Sequence, residues 1–213
     1  WVDVFSVGRY ISRNLITSFF DIIWRHHVTK LPNAHLTDVP DIDLTLRRPD
    51  AEDGAAVNEL IEQCKPLDEN SVYCNLLQCS HFAETSSLAQ VDGEVAGFVS
   101  GYLVPESPDS LFVWQVAVSP KARGLKLGKR MILDILHRPF AKNVRNLHTT
   151  ITPDNKASHG VFKSVARSLN TEFDTEVMFD QDAHFDGDAK TEMLWKIGPF
   201  SRADILPALA SVA

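Results

Sequence analysis

The chain has 213 residues, 44% of them hydrophobic, enough to bury one sizeable core, and nothing in it requires a second domain. With 28 acidic against 21 basic residues the net charge is −7, which argues against a nucleic-acid binder, since such proteins present a basic face. No run approaches the roughly 20 apolar residues of a membrane span.

Trp1 to Lys30 has no initiating Met and mixes aromatics with four basic and two acidic residues. It fits an amphipathic helix, an interfacial anchor, a transit-like leader or sequence added upstream, and no function is assigned to it. Leu31 to Asp43, with Pro32 and Pro40, reads as a linker, so residues 1–43 are set apart as an extension. The domain is expected over 44–200, starting with a strand at Leu44–Arg48. Asp50 then looks like a helix N-cap with Asp53 three residues on, and Val57, Leu60, Ile61 and Cys64 make one face of a helix ending at Pro66. A second helix is expected to carry Tyr73, Leu76, Leu77 and Phe82. Ser86–Val91 and Glu94–Val104 flank Asp92-Gly93, the strongest hairpin signal in the chain.

Leu111 to Val118 is apolar except for Gln115, as in a strand buried on both faces. Ser119-Pro120 ends it, and Arg123-Gly124-Leu125-Lys126-Leu127-Gly128 leads into a helix with Leu127, Met131, Ile132, Ile135 and Leu136 at helical spacing. The unpaired amides of a helix N-terminus favour a phosphate, and Arg123, Lys126, Lys129 and Arg130 add positive charge around it. A strand at Leu147–Ile151, a helix at Pro153–Arg167, closing strands at Glu172–Phe179 and Met193–Ile197, and a short tail over 201–213 complete the reading. Between Asp174 and Glu192 stand seven acidic residues and one lysine, read as a solvated loop in preference to an attractor of a cationic substrate.

Cys64, Cys74 and Cys79 give an odd count without paired spacing, hence no disulfide framework, and fit a reducing, cytoplasmic compartment as small buried residues. His26-His27 and His81 lack metal-ligand spacing. Asp182–Asp188 only faintly matches a calcium loop, with His184 at position three and Met193 at twelve, so no metal is expected.

An apolar strand followed by [Q/R]-x-x-G-x-[G/A] at a helix start resembles the acetyl-CoA pyrophosphate loop of the GNAT N-acetyltransferases. Arg123 and Gly128 match its ends, while Lys126 replaces the middle glycine; a side chain there is expected to be tolerated with φ negative, its ammonium partly compensating. Asn155-Lys156-Ala157-Ser158 followed by Phe162 resembles the family's second motif, N-x-x-[AS]-x-x-x-[YF], a helix lying along the pantetheine arm. The order of elements agrees over about Leu46 to Phe200. The resemblance implies an α/β (α+β) fold, a central mostly antiparallel mixed sheet flanked by helices, with acetyl-CoA as cosubstrate. It implies cofactor contacts from Val116, Val118, Arg123, Gly124, Lys126, Gly128, Lys129, Asn155, Ser158 and Phe162, and a bulge near Val116.

Within that family, Lys65–Tyr73, Gly97–Tyr102, Phe112–Val118 and Thr149–Asn155 resemble the diaminobutyrate acetyltransferases of ectoine synthesis. The implied reaction acetylates the 4-amino group of L-2,4-diaminobutyrate, and the implied assembly is a homodimer. A substrate with two ammonium groups needs carboxylates and an aromatic wall. Asp68 is the first choice for an ammonium contact, with helix capping as its ordinary alternative, alongside Asn70 and Tyr73. Trp114 is a candidate wall, core packing being the commoner fate of a strand tryptophan. Glu192 matches a family carboxylate in an H-x-x-E pattern whose histidine is replaced here by Ala189. Asp68 and Glu192 are the candidate catalytic groups. Phe162 stands where many relatives carry a tyrosine that protonates the leaving thiolate. A GNAT enzyme for another diamine or amino acid, or an acyl-CoA-binding module without turnover, are the alternatives.

Overall fold

A computed structural model describes residues 42–65 and 67–212; the expectations for the N-terminal extension, up to residue 41, and for Pro66 lie outside the described residues. Seven strands form one sheet: β1 (Leu44–Arg47), β2 (Ser87–Val91), β3 (Glu94–Val104), β4 (Ser107–Val118), β5 (Asn146–Ile151), β6 (Phe173–Phe179) and β7 (Glu192–Ile197). Their order is β1-β2-β3-β4-β5-β7-β6, and every neighbouring pair is antiparallel except β4 with β5. The helices are α1 (Gly54–Gln63), α2 (Val72–Ser80), α3 (Leu127–His137), α4 (Lys156–Ser168), α5 (Gln181–Phe185) and α6 (Arg202–Ala210).

Helices cover both faces of the sheet. On one, Met131, Ile132, Ile135 and Leu136 of α3 and Phe162, Val165 and Ala166 of α4 pack with Leu111, Val113 and Leu147. On the other, Val57, Leu60 and Ile61 of α1 and Cys79 of α2 pack with Leu88, Phe98 and Ala117. Each such aliphatic side chain removed from water contributes about 1.5–3 kcal/mol, so the helical spacing of α1 and α3 translates directly into burial.

Three elements differ from the expected ones. The expected α2 face of Tyr73, Leu76, Leu77 and Phe82 is not the buried one: Asn75, Gln78 and Cys79 are buried, Tyr73 is exposed and Phe82 lies beyond the helix end. Carboxamides turn inward there because they find partners in one another. The acidic loop contains the short helix α5, capped by Asp180, whose carboxylate accepts from the amides of Asp182 and Ala183. The expected tail is helix α6, started by a Ser201/Asp204 capping box and continuing through Pro207, with Ile205, Ala208 and Val212 in the core beside α3 and α4.

Candidate active site

β4 is twelve residues long but pairs with β5 only over Ser110–Phe112. From Val113 to Val118 its outer edge has no strand beside it among the described residues, while β5 turns away to pair with β7 as far as Ile151. The two strands therefore diverge, and the gap exposes backbone amides and carbonyls that an extended ligand can pair with. The divergence coincides with a bulge. Ser100 faces Gln115 and Gly101 faces Val113, so Trp114 is one residue too many. The bulge lies at Trp114, two residues before the expected Val116, and it reverses the alternation: Leu111 and Val113 pack on the α3 side, and after it Val116 and Val118 do.

The loop closing this gap starts with Arg123 in an extended conformation and Gly124 at φ +89°, a value that suits glycine. Lys126 has φ 57° and ψ 27°, left-handed, which corrects the expectation of a negative φ: this residue adopts a conformation that favours glycine. Among the described residues no side chain caps α3, unlike α2 and α4, capped by Ser71 and Asn155, so the first amides of α3 remain available to an anion. Gly128 lets that first turn approach β4 closely, for a Cβ there would stand 3.1 Å from Val116 Cγ1 and 3.5 Å from Val161 Cγ1. Burial, then the positive charges of Lys126 and Arg167, depress the Lys129 ammonium below its ordinary pKa. This concentration of cations, without ion-pair partners among the described residues, beside the N-terminus of α3 fits a polyphosphate.

The opposite wall comes from the segment before α2. Ser71 caps α2, accepting from the Cys74 amide at 3.2 Å, which leaves the exposed Asp68 carboxylate without a capping role. The segment is tied to β4: Asn70 Nδ2 donates to Gln115 Oε1 at 2.9 Å and Gln115 Nε2 donates to the Asp68 carbonyl at 3.0 Å. Glu192, the first residue of β7, is half-buried. Burial lifts its carboxyl above the ordinary 4.5, the Thr150 side chain opposes the rise by hydrogen bonding, and the negative charge of Asp68 adds to it. Two carboxylates from distant segments thus come within electrostatic reach of each other, Asp68 on the segment tied to β4 through Gln115 and Glu192 beside the end of β5.

The other expected residues lie on β4, α2 and α4. Trp114 is 48% exposed on the bulge, free to face a ligand rather than packed in the core. Tyr73 is 69% exposed at the start of α2. Asn155 caps α4 by accepting from the Ser158 amide at 3.0 Å, and Ser158 lies in the first turn. Phe162 is 3% exposed and belongs to the core beneath that helix. Cys64 ends α1, its thiol donating to the Val118 carbonyl at 3.3 Å, so α1 also meets the exposed end of β4.

Sequence reasoning did not single out Gln115 as a tether, although a lone polar residue within an apolar strand was the available signal. Arg167 carried none, because only the fold brings it to Lys129. A cavity of about 480 Å³ lined by Arg167, Asn170, Thr171, Glu172, Gly198 and Pro199 lies at the other end of β7 from Glu192 and is no part of this site. Among the described residues no group of three or more His, Cys, Asp and Glu side chains could hold a metal ion. Nor is any described helix long and apolar enough to cross a membrane.

The model of the acetyltransferase (GNAT) family matches residues 55–166. The L-2,4-diaminobutyric acid acetyltransferase of Methylotuvimicrobium alcaliphilum is 54% identical over 157 residues, 74% of this chain and 91% of that protein. That of Bordetella parapertussis is 46% identical over 73% of this chain and 84% of its own. Among solved structures, the diaminobutyrate acetyltransferase of Paenibacillus lautus, in complex with L-2,4-diaminobutyric acid and coenzyme A, matches with a TM-score of 0.71 and 35% identity, covering 74% of this chain and 95% of that one. A divergent β4/β5 pair, an uncapped α3 behind a basic loop, and matches of this extent have one common reading: the chain belongs to the GNAT acetyltransferase family.

Proposed function

We propose that the chain transfers the acetyl group of acetyl-CoA to the 4-amino group of L-2,4-diaminobutyrate. The observation that carries this reading is the opening of β4 away from β5, with Asp68 tied to β4 through Gln115 on one side and Glu192, beside the end of β5, on the other, a place suited to a cationic amine beside a bound thioester. The relatives named for this activity and the complex with L-2,4-diaminobutyric acid and coenzyme A support it.

In the proposed reaction the Asp68 carboxylate holds the substrate ammonium, and Glu192, made more basic by burial, removes a proton from the 4-ammonium group. The neutral amine adds to the thioester carbonyl, and outward amides of β4 beyond Phe112 receive the oxyanion. The C–S bond then breaks. The nitrogen gives up its second proton to the departing thiolate or to water, because Phe162, buried and without an ionisable group, supplies none. Arg123, Lys126, Lys129 and the first amides of α3 hold the pyrophosphate, and Val116 and Val118 pair with the pantetheine arm. Asn70, Tyr73 and Trp114 line the amine pocket. The product supplies the ring closure that yields ectoine.

The same reading places the protein in the cytoplasm, where acetyl-CoA and its three free cysteines are at home. It also makes the protein a homodimer, to which the exposed apolar edge Val177, Met178 and Phe179 of β6 lends support. The test is product analysis by NMR after incubation with diaminobutyrate and acetyl-CoA. Acetylation at the 4-amino nitrogen is expected; acetylation only at the 2-amino nitrogen, or none, overturns the assignment.

A further inference from the structure

The segment that carries Asp68 is held from below as well as from β4. Asn58, buried on α1, donates from Nδ2 to the Asn70 carbonyl at 3.1 Å and to Asn75 Oδ1 at 3.0 Å. Because a carbonyl can only accept, the Asn70 contact fixes which end of the Asn58 carboxamide is nitrogen. The choice propagates: Asn75 must present its oxygen to Asn58, so its Nδ2 donates to Gln78 Oε1 at 2.9 Å. The chain ends at Gln78 Nε2, buried and without a partner among the described residues. On the other side the Asp68 carbonyl fixes Gln115 in the same manner, leaving Gln115 Oε1 to accept from Asn70 Nδ2. Asn70 is therefore gripped twice, by its carbonyl from α1 and by its side chain from the residue after the β4 bulge.

Burying a file of carboxamides on α1 and α2 is costly where aliphatic side chains would pack freely. A purely structural need would be met by hydrophobic residues, whereas directional bonds set the height and orientation of a short segment. We propose that Asn58 is a positioning residue: through the Asn70 carbonyl it places Asp68 over the divergence of β4 and β5 and so governs affinity for the amine substrate. This rests on Asp68 being the ammonium anchor, as argued above. Asn58 itself touches no reacting group, and its removal is expected to act on substrate affinity rather than on the chemical step.

The experiment compares wild type, Asn58→Ala, Asn58→Ser and Asn75→Ala by steady-state kinetics, and by hydrogen–deuterium exchange over residues 67–71. Asn58→Ala is expected to raise KM for diaminobutyrate about five- to tenfold, with kcat and KM for acetyl-CoA within about twofold of wild type, and to speed exchange in that segment. Asn58→Ser, which keeps one donor and guards against a misfolded alanine variant, is expected to lie between. Asn75→Ala opens the same buried chain but spares the bond to Asn70, so it should lose stability with a much smaller change in KM. Equal KM rises in Asn58→Ala and Asn75→Ala, or a fall in kcat alone, would show a structural role only and overturn the proposal. If wild type does not acetylate diaminobutyrate, the substrate assignment fails, and the exchange still decides: unchanged exchange over 67–71 in Asn58→Ala overturns positioning, and faster exchange supports it.

Discussion

The carboxylate of Asp68 sits close enough to Glu192 to add to the upward shift that burial gives the Glu192 carboxyl. One comes from the segment before α2 and the other from the start of β7, and the open end of the β4/β5 pair lies between those elements.

That shift has a sign. A carboxyl whose folded pKa is raised binds its proton more tightly in the folded state, so stability falls as pH rises from the ordinary 4.5 through the raised value. Glu192→Gln removes the penalty and should raise the melting temperature at pH 7 while lowering kcat by about 10²- to 10⁴-fold. In wild type the acidic limb of kcat/KM should lie above 4.5 and vanish in the variant. A variant that keeps both its rate and its acidic limb would remove Glu192 from the role of base.

Asp68 is expected to act mainly on binding. Asp68→Asn should raise KM for the amine by about tenfold or more, by removing a charge-assisted contact, and leave KM for acetyl-CoA unchanged. Since it also removes a negative neighbour, the Glu192 limb should move to lower pH. Steady-state profiles of the two variants read both effects.

Lys126 holds a left-handed conformation that costs an L-residue about 1 kcal/mol. Lys126→Gly should therefore raise stability by up to about 1 kcal/mol, less the added freedom of the unfolded chain, and still weaken coenzyme A binding severalfold through the lost charge. Denaturant melts and calorimetric titration at two salt concentrations separate the two, the binding loss shrinking at high salt.

Gly128→Ala would bring a methyl group to 3.1 Å from Val116 Cγ1. The Val116 side chain or the first turn of α3 must then give by a few tenths of an ångström, a cost that the better helix propensity of alanine offsets in part, so stability should change by less than about 1 kcal/mol while KM for acetyl-CoA rises modestly and KM for the amine stays constant. Equal changes in both would place the strain elsewhere.

Apart from α5, the order of elements up to β7 was readable because α1, α3 and the Asp92-Gly93 hairpin each carry strong local patterns that agree with their burial. The bulge was expected from the family resemblance alone, and two residues too late, since in Leu111–Val118 nearly every residue is apolar and a reversal of alternation leaves no trace in composition. The inward face of α2 is polar, so hydrophobic periodicity pointed to Leu76 and Leu77 in place of Asn75 and Gln78. Residues 201–213 read as a short tail, yet the Ser201/Asp204 box and the burial of Ile205 and Ala208 sustain α6 through Pro207. Asp68 and Glu192 were legible as candidates, but their proximity, and with it the raised carboxyl, exists only in the folded chain.

The most direct test of the account is the rate of coenzyme A release from acetyl-CoA with diaminobutyrate, ornithine, lysine, a simple diamine or no acceptor, for wild type, Asp68→Asn and Glu192→Gln. The account predicts fast release by wild type with diaminobutyrate alone, a raised KM in Asp68→Asn and a collapsed kcat in Glu192→Gln. Release that no acceptor accelerates, despite bound acetyl-CoA, or that is insensitive to both substitutions, would contradict it.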